Sequence, residues 1–497
     1  MVDARALAAD LAANGVVGVT IAWADNNGIP RSRTVPIASL PQAATRGVGV
    51  TPLFAVFDTH DAITFAHQGL ATPSGDLRLV PDLGGLTRLA GQPALAWAPG
   101  RQIAVDGSPW PYDQRGVLEA QVEAAAAEGL EIKAGYELEF VLTQADPGDP
   151  AGEPRLAYQA PAYSSYALLA VDEFVADLLG DLADNGVPVN QLHAEYGPAQ
   201  MELSIVASDP VTAADRQLLA RQTIHAAARS HGLRACFAPL FTAAGVGNGW
   251  HLHTSVWRGE RNLLASSDAA PDRPGPDGAG WLGGLLRDLR ALAAITAPSV
   301  PSLARLRPGY FAGAYQFWGA ENREAPLRYV LGSELLGADH ANVELKVSDA
   351  SANPYLALAA VIASGVAGLR DGADPGEPIQ ADPGGWSDQD RAARGLTRLP
   401  TTPAEQEEAL SGCKRLTAML GEPLLGAFLA VRRSDAAWAA DRALDDVVAA
   451  HRTAEWGAVG WAGRYLQRSG SGQPGHRQPA AMATVGRGSG QPGVRAR

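Results

Sequence analysis

The spacing of apolar and polar positions changes several times along the chain, and each change marks an element. Residues 1–14 carry acids on one side of a helical apolar rhythm and predict a short amphipathic helix. VVGVTIAWADNNGIPRSRTVPI (16–37) reads as two strands joined by an Asp-Asn-Asn-Gly turn, a hairpin pattern. Strand patterns broken by Gly and Pro turns continue to about residue 110. Beyond that point the period alternates: 115–129 is helical, IKAGYELEFVL (132–142) has strand character, and AADRQLLARQTIHAAARSHG (213–232) is helical again. The predicted organisation is a small β-rich N-terminal domain at 1–110 and a large α/β domain at 111–468. ADPGDPAGEP (145–154) and SSDAAPDRPGPDGAG (266–280) read as surface loops rich in Pro, Gly and Asp. The tail, 469–497, repeats GSGQPG at 470–475 and 488–493, has almost nothing apolar to bury, and is expected to be disordered and dispensable.

Composition narrows the class. Of the 497 residues, 46% are hydrophobic and 19% charged, which suits a soluble globular protein. The uncharged run Leu356–Leu369 has 14 residues, short of the roughly 20 that a spanning helix needs, and is expected to be a tightly packed buried helix. The N-terminal stretch has acids within it and lacks the apolar core of a signal peptide. Two cysteines, Cys236 and Cys413, cannot build a disulfide framework, so a reducing cytoplasm is expected. The net charge is −13, and because the tail holds four arginines and no acid, the body before it carries −17. Such a body disfavours nucleic acid and anionic membrane as partners and suits cations.

Common nucleotide loops are missing. There is no GxxxxGK[ST] sequence, and none of the three lysines, Lys133, Lys346 and Lys414, follows such a loop. GVGNG (245–249) leads into a strand pattern where a dinucleotide turn would open a helix. The informative residues are acids and histidines set in apolar strands. Glu137 and Glu139 of GYELEF are two apart and share a strand face; Glu195 and Glu202 flank a Gly-Pro turn. His251, His253 and Ser255 share a face, as do Glu344 and Lys346. Any one of these patterns is ordinary, but four in one chain are not, since carboxylates are rarely buried unless paired or bound to metal. Five glutamates and a histidine, if they converge, form an oxygen-rich site for Mg²⁺ or Mn²⁺ rather than zinc. Arg305, Arg323 and Arg328 could supply the positive clamp that phosphoryl transfer requires.

Taken in order, GYELEF, HAEYGPAQMEL, GNGWHLHTS, SLARLRPGY, NREAPLR and VELKVSDASANPYLALAA resemble the glutamine synthetase family, and the likeness runs to about residue 468. ADNNGIPRSR (24–33) looks like that family's β-grasp opening and SGDLRLVPD (74–82) like the approach to its catalytic domain. The resemblance implies an α+β fold, with an N-terminal β-grasp domain and a catalytic domain whose curved antiparallel sheet forms an open barrel. It implies Glu139, Glu195 and Glu202 as ligands of one metal and Glu137, His251 and Glu344 as ligands of a second, which carries the ATP phosphates. Arg323 and Arg328 match the catalytic arginines on the transferring phosphoryl group, Arg305 and Gly247 contact the substrate's α-carboxylate and amino group, and His253 and Ser255 line the nucleotide pocket with Arg328. The implied reaction phosphorylates the γ-carboxylate of glutamate with ATP and lets an amine displace phosphate. Implied also is a homo-oligomer, a dodecamer or a hexamer.

Departures from the family pattern point to the amine. Where the family flap reads PGYEAP, this chain has PGYFAG, so Phe311 replaces a glutamate that helps bind ammonium and accept its proton. Val246 stands for an asparagine in the glutamate loop, and Lys346 for an arginine beside the substrate; a point-charge Lys cannot reproduce a bidentate guanidinium contact. Asp58 and Asp61 are candidates for the acidic ammonium residue of the N-terminal domain, and Thr397 replaces the tyrosine that some members adenylylate. The expectation is a ligase for γ-glutamyl amines or polyamines. The alternatives are an ordinary glutamine synthetase using ammonia and a catalytically silent scaffold.

Overall fold

The computed structural model describes residues 2–145, 154–266 and 270–455. The expected disordered tail and the end of the large domain at 468 lie outside these residues. The architecture is α+β, with two sheets separated by the helix Gln114–Ala127. The first sheet contains β1 (Gly18–Ala24), β2 (Pro30–Pro36), β3 (Val48–Val50), β4 (Leu77–Pro81), β5 (Thr87–Arg88) and β6 (Leu95–Ala104). Its order is β2-β1-β6-β4-β3, with β5 on β6; β1 and β6 run parallel and the other pairs antiparallel. The β reading of this region overlooked the helix Leu40–Arg46, whose Leu40 and Ala43 are buried, so tertiary packing supplies what its weak local pattern lacks.

The hairpin β1–β2 forms as its turn chemistry predicts. Asp25 accepts from the amides of Asn27 (2.8 Å) and Ile29 (3.1 Å). Gly28, at φ +68°, closes the turn, and a Cβ there would lie 2.2 Å from the Ala352 carbonyl oxygen. The turn therefore docks on the segment 350–353, where Asn353 donates to the Asp25 carbonyl at 2.9 Å. Through this contact the first sheet is joined to a segment 328 residues further along the chain.

The second sheet has nine strands: β7 (Glu131–Gln144), β8 (Val189–Ala194), β9 (Gln200–Ile205), β10 (Leu233–Cys236), β11 (Leu252–Arg258), β12 (Arg261–Asn262), β13 (Trp318–Ala320), β14 (Leu327–Val330) and β15 (Asn342–Leu345). Its path is β13-β14-β15-β11-β7-β9-β8, antiparallel except for β13 with β14. On β7 the residues Ala134, Tyr136, Leu138, Phe140 and Leu142 are fully buried, so the alternate positions, Glu137 and Glu139 among them, face the other side. Behind the sheet the helices Pro276–Thr296 and Pro354–Asp371 pack at very close range. A Cβ at Gly284 would lie 2.2 Å from the Ser364 carbonyl oxygen, and one at Gly368 2.1 Å from that of Gly280, so only glycine permits this approach. The Ala-rich run at 356–369 is buried as expected. The predicted loop 266–280 ends earlier than expected, because Pro276 opens a helix, a position where the missing N–H costs nothing. Among the described residues no helix is long and apolar enough to cross a membrane.

Asp113 caps the helix Gln114–Ala127 through the Gly116 amide at 3.2 Å. Burial pushes its carboxyl up to about 7, outweighing the backbone hydrogen bond from Gln102. The folded value thus exceeds the unfolded one near 3.8, so the folded state retains a proton that the unfolded chain has lost, and stability falls as pH rises from about 4 to about 7. Asp113→Asn keeps a capping oxygen without the charge. It is expected to stabilise the protein by about 1–3 kcal/mol at pH 8 and by almost nothing at pH 4. Melting curves of both proteins across this range check it; an equal gain at both pH values would refute the ionisation argument.

Candidate active site

Cross-strand register assembles the acids and histidines. Glu139 on β7 lies directly opposite Glu202 on β9, which lies opposite His193 on β8. His253 on β11 lies opposite Glu344 on β15, which lies opposite Arg328 on β14. His251, one residue before β11, reaches Glu137 Oε2 at 3.1 Å, Glu344 Oε1 at 3.4 Å and Glu139 Oε1 at 3.7 Å. His253 Nε2 lies 3.4 Å from Glu137 Oε1, while its Nδ1 bonds Asn342 Oδ1 at 2.9 Å. Gly249 makes room for the group: a Cβ there would lie 2.5 Å from His251 Nε2 and 2.7 Å from Glu139 Oε1.

The donor atoms of Glu137, Glu202 and His251 lie within 4.8 Å of one another, as do those of Glu137, His253 and Glu344. Two overlapping carboxylate–imidazole sets suit a pair of hard divalent cations. Glu137 belongs to both sets, and His253, expected in the nucleotide pocket, stands among the possible ligands. Glu195 sits at the rim, half-buried, with its carboxylate accepting from the Tyr196 amide and the Tyr163 hydroxyl.

The electrostatics of the cluster are opposed from place to place. Burial raises Glu139 to about 7, with the charges of Glu202 and Glu195 adding to it against His251. Burial likewise raises Glu202. At Glu344 burial is outweighed by Lys346, His253 and His251, which hold the carboxyl down at about 2. Glu137 is held well below the usual carboxylate range, because hydrogen bonds from His251 and His253 outweigh its burial. His253 rises to about 9: burial opposes its charge, but Glu137 and Glu344 prevail. The acids thus divide into one side already neutralised by bases and another, around Glu139 and Glu202, that resists ionising alone.

Of the other predicted residues, Arg328 and Lys346 stand directly against this cluster. Arg328 pairs with Glu344 at 3.1 Å and also with Glu321; Lys346 Nζ lies 3.2 Å from Glu344 Oε1. Arg305 is buried, donating to the Ser348 carbonyl at 2.7 Å, and adjoins Gly247, where a Cβ would lie 2.4 Å from Arg305 Cγ. Ser255 Oγ accepts from the Trp257 indole at 2.8 Å. Arg323 is exposed on the loop between β13 and β14 and is not drawn into the cluster. Phe311 is 64% exposed, at φ +53°. Asp58 and Asp61 are both already engaged: Asp58 accepts from the amides of His60 and Ala62 in its own turn and from Ser434, and Asp61 pairs with Arg31 at 2.6 Å. Thr397 donates to Gln316 at 2.8 Å.

Three residues carry weight that the sequence reading did not give them. Gln200 Nε2 lies 2.9 Å from Glu139 Oε2 and from the Gly247 carbonyl, joining the acid cluster to the Gly-rich loop. Arg307 donates to the Gly245 carbonyl at 2.5 Å and stacks on Tyr310 at 3.8 Å. Tyr163 reaches Glu195 from a separate loop. No local pattern marks Tyr163; Gln200 and Arg307 were visible only as parts of HAEYGPAQMEL and SLARLRPGY.

Residues 111–446 match the catalytic domain of glutamine synthetase. The chain belongs to the glutamine synthetase family. Members of this family are ATP-dependent ligases that use divalent metals, and this chain is a ligase of that kind. It is similar to the gamma-glutamylpolyamine synthetase GlnA3 of Streptomyces coelicolor, with 44% identity over 450 residues, 90% of this chain and 96% of that protein. It is similar at 27% identity over 463 residues to the gamma-glutamylanilide synthase of an Acinetobacter species, covering 87% of this chain and 89% of that one. A solved structure described as a novel glutamine synthase homolog superposes with a TM-score of 0.77 at 32% identity, covering 88% of this chain and 98% of its own. These glutamine synthetase relatives bear out the α+β fold and the ligase class expected from the ordered motifs.

Proposed function

We propose that this glutamine synthetase-family ligase joins the γ-carboxylate of glutamate to a primary alkylamine or polyamine in preference to ammonium. One observation carries the preference: the flap presents an exposed Phe311 and offers no acid of its own. The two nearby acids are already engaged, Glu321 with Arg328 and the Leu331 amide, and Glu324 with the flap backbone. An aromatic ring cannot accept the proton of ammonium, but it packs against methylenes and attracts an ammonium head. The names of the polyamine and anilide relatives support the same reading, as does a body of charge −17 facing a polycation.

In this reading Glu139, Glu195 and Glu202 would hold one Mg²⁺ or Mn²⁺ and Glu137, His251 and Glu344 a second, with His253 at the border between that set and the nucleotide. When bound, the two ions supply Lewis-acid charge to the phosphates of ATP. Arg305 and Gly247 would orient glutamate by its α-carboxylate and amino group, with Lys346 nearby. His253, Ser255 and Arg328 would face the nucleotide, and Arg328, with Arg323 swung inward, would neutralise the transferring phosphoryl group. The γ-carboxylate oxygen attacks the terminal phosphorus and ADP departs. The amine nitrogen then attacks the acyl carbon, the C–O bond to phosphate breaks, and the nitrogen loses a proton. The N-terminal sheet would act as a β-grasp domain over residues 1–110, shared across a homo-oligomer of six or twelve chains, and two free cysteines fit a cytoplasmic site.

Phosphate release from ATP and glutamate, measured with a panel of amines, tests the reading. A primary alkylamine, an amino alcohol or a polyamine is expected to exceed ammonium in kcat/KM by at least about tenfold, roughly 1.4 kcal/mol in the transition state. Ammonium as the best acceptor across the panel would leave an ordinary synthetase, and no turnover with any acceptor would leave a scaffold.

A further inference from the structure

Glu324 is a buried acid, 7% exposed, that lies in sequence between the two arginines Arg323 and Arg328 yet, among the described residues, has no ion pair and no hydrogen bond to the acid–histidine cluster. Both its oxygens are turned to the flap. Oε2 accepts from the Phe311 amide at 2.9 Å and Oε1 from the Gly309 amide at 3.3 Å. The flap is bent to meet it, with Gly309, Phe311 and Gly313 all at positive φ (+76°, +53° and +72°). For phenylalanine this left-handed backbone is strained and persists only where its surroundings impose it. The far end of the flap is fixed on the same loop, because a Cβ at Gly313 would lie 2.7 Å from Pro326 Cβ.

We propose that Glu324 is a positioning residue for the amine site, tying the flap Pro308–Gly313 to the arginine loop so that Phe311 is held outward over the acyl phosphate and an amine, rather than water, reaches it. Two carboxylate oxygens meet two amide donors, a match that no neutral side chain of this length provides. Gln would turn an NH₂ group toward one of the amides, and Asp is a methylene too short to span both. The tie also connects the flap to the chemistry: the charge of Lys346 acts on Glu324, and Lys346 Nζ itself lies 3.2 Å from Glu344 Oε1. A flap freed from this anchor would let its ring settle elsewhere and admit water. The water oxygen would then attack the acyl carbon, phosphate would leave, and glutamate would be regenerated with its ATP spent. The inference rests on the acyl-phosphate reaction proposed above.

The test compares wild type, Glu324→Gln and Glu324→Asp in the full-length protein with Mg²⁺, ATP, glutamate and 1,4-diaminobutane, measuring amide formed per phosphate released. For Glu324→Gln the ratio is expected to fall from near one to below about one half. The kcat/KM for the amine should drop about tenfold or more, while KM for ATP and for glutamate stays within about twofold. Glu324→Asp, which keeps the charge but loses the reach, should fall between the two. A ratio that stays near one in Glu324→Gln, or a loss spread equally over ATP, glutamate and amine, overturns the proposal. So does an Asp variant indistinguishable from wild type. Should the Gln variant fail to fold, hydrogen exchange on wild type decides: the Gly309 and Phe311 amides are expected to exchange at least about tenfold more slowly than the intervening Tyr310 amide, and equal rates overturn the tie. If ammonium proves the preferred acceptor, the same ratio is read with ammonium, so a wrong amine and an idle Glu324 give different results.

Discussion

Glu139→Ala is expected to reduce ATP-dependent turnover by at least about a thousandfold without unfolding the protein. The two effects separate because the residue is strained by its surroundings: buried beside Glu202, it is raised to about 7 and costs stability when it ionises without a cation. Removing it takes away a buried like-charge repulsion and leaves Gln200 free to turn to the Gly247 carbonyl and Asn248, both already 2.9 Å away. The metal-free variant should therefore melt no lower than wild type at pH 8, while the rise in Tm that Mg²⁺ or Mn²⁺ gives to wild type should shrink or vanish. Melting curves with and without the cation, beside a phosphate-release assay, check both halves. A variant that keeps its activity, or one whose Tm collapses while the cation still raises it, would contradict this account of Glu139.

Phe311→Glu is expected to shift the ratio of kcat/KM for a primary alkylamine over ammonium by at least about tenfold toward ammonium, or roughly 1.4 kcal/mol. The backbone at 311 is held by Glu324 in either variant, so the substitution changes the side chain presented and leaves the flap in place. A carboxylate there can pair with a small cation and take its proton; the ring it replaces attracts a cation more weakly and cannot take its proton. The loss should fall mainly on the alkylamine, whose methylenes lose their apolar surface. An unchanged ratio would mean that Phe311 does not face the acceptor.

The candidate site was legible where chemistry and strand period coincide. Glu137 and Glu139 share a face because alternate strand residues point the same way, and the register then places Glu202 opposite Glu139 and Glu344 opposite His253. The hairpin was legible because Asp25 and Gly28 satisfy a turn locally. By contrast, the start of the helix Pro276–Thr296, up to residue 280, was taken for the end of a loop: a segment rich in Pro, Gly and Asp has little helical preference of its own, and the glycines that weaken it locally let it press against the helix Pro354–Asp371.

What the sequence determined by itself was individual elements with a clear period, such as the hairpin at 16–37 and the helix near 213–232, the family, and the residue types of the candidate site, since each depends on local period or on motifs in fixed order. What only the tertiary structure decided was how those residues are used. Glu324 reads in sequence as one more acid of NREAP and becomes the anchor of a strained flap; His253 joins Glu137 and Glu344; Gln200 steadies Glu139. Such roles arise from contacts between residues far apart in the chain, 61 positions for Gln200 with Glu139 and 116 for His253 with Glu137. They depend on how the strands and loops come together in space, which no local pattern of residues encodes.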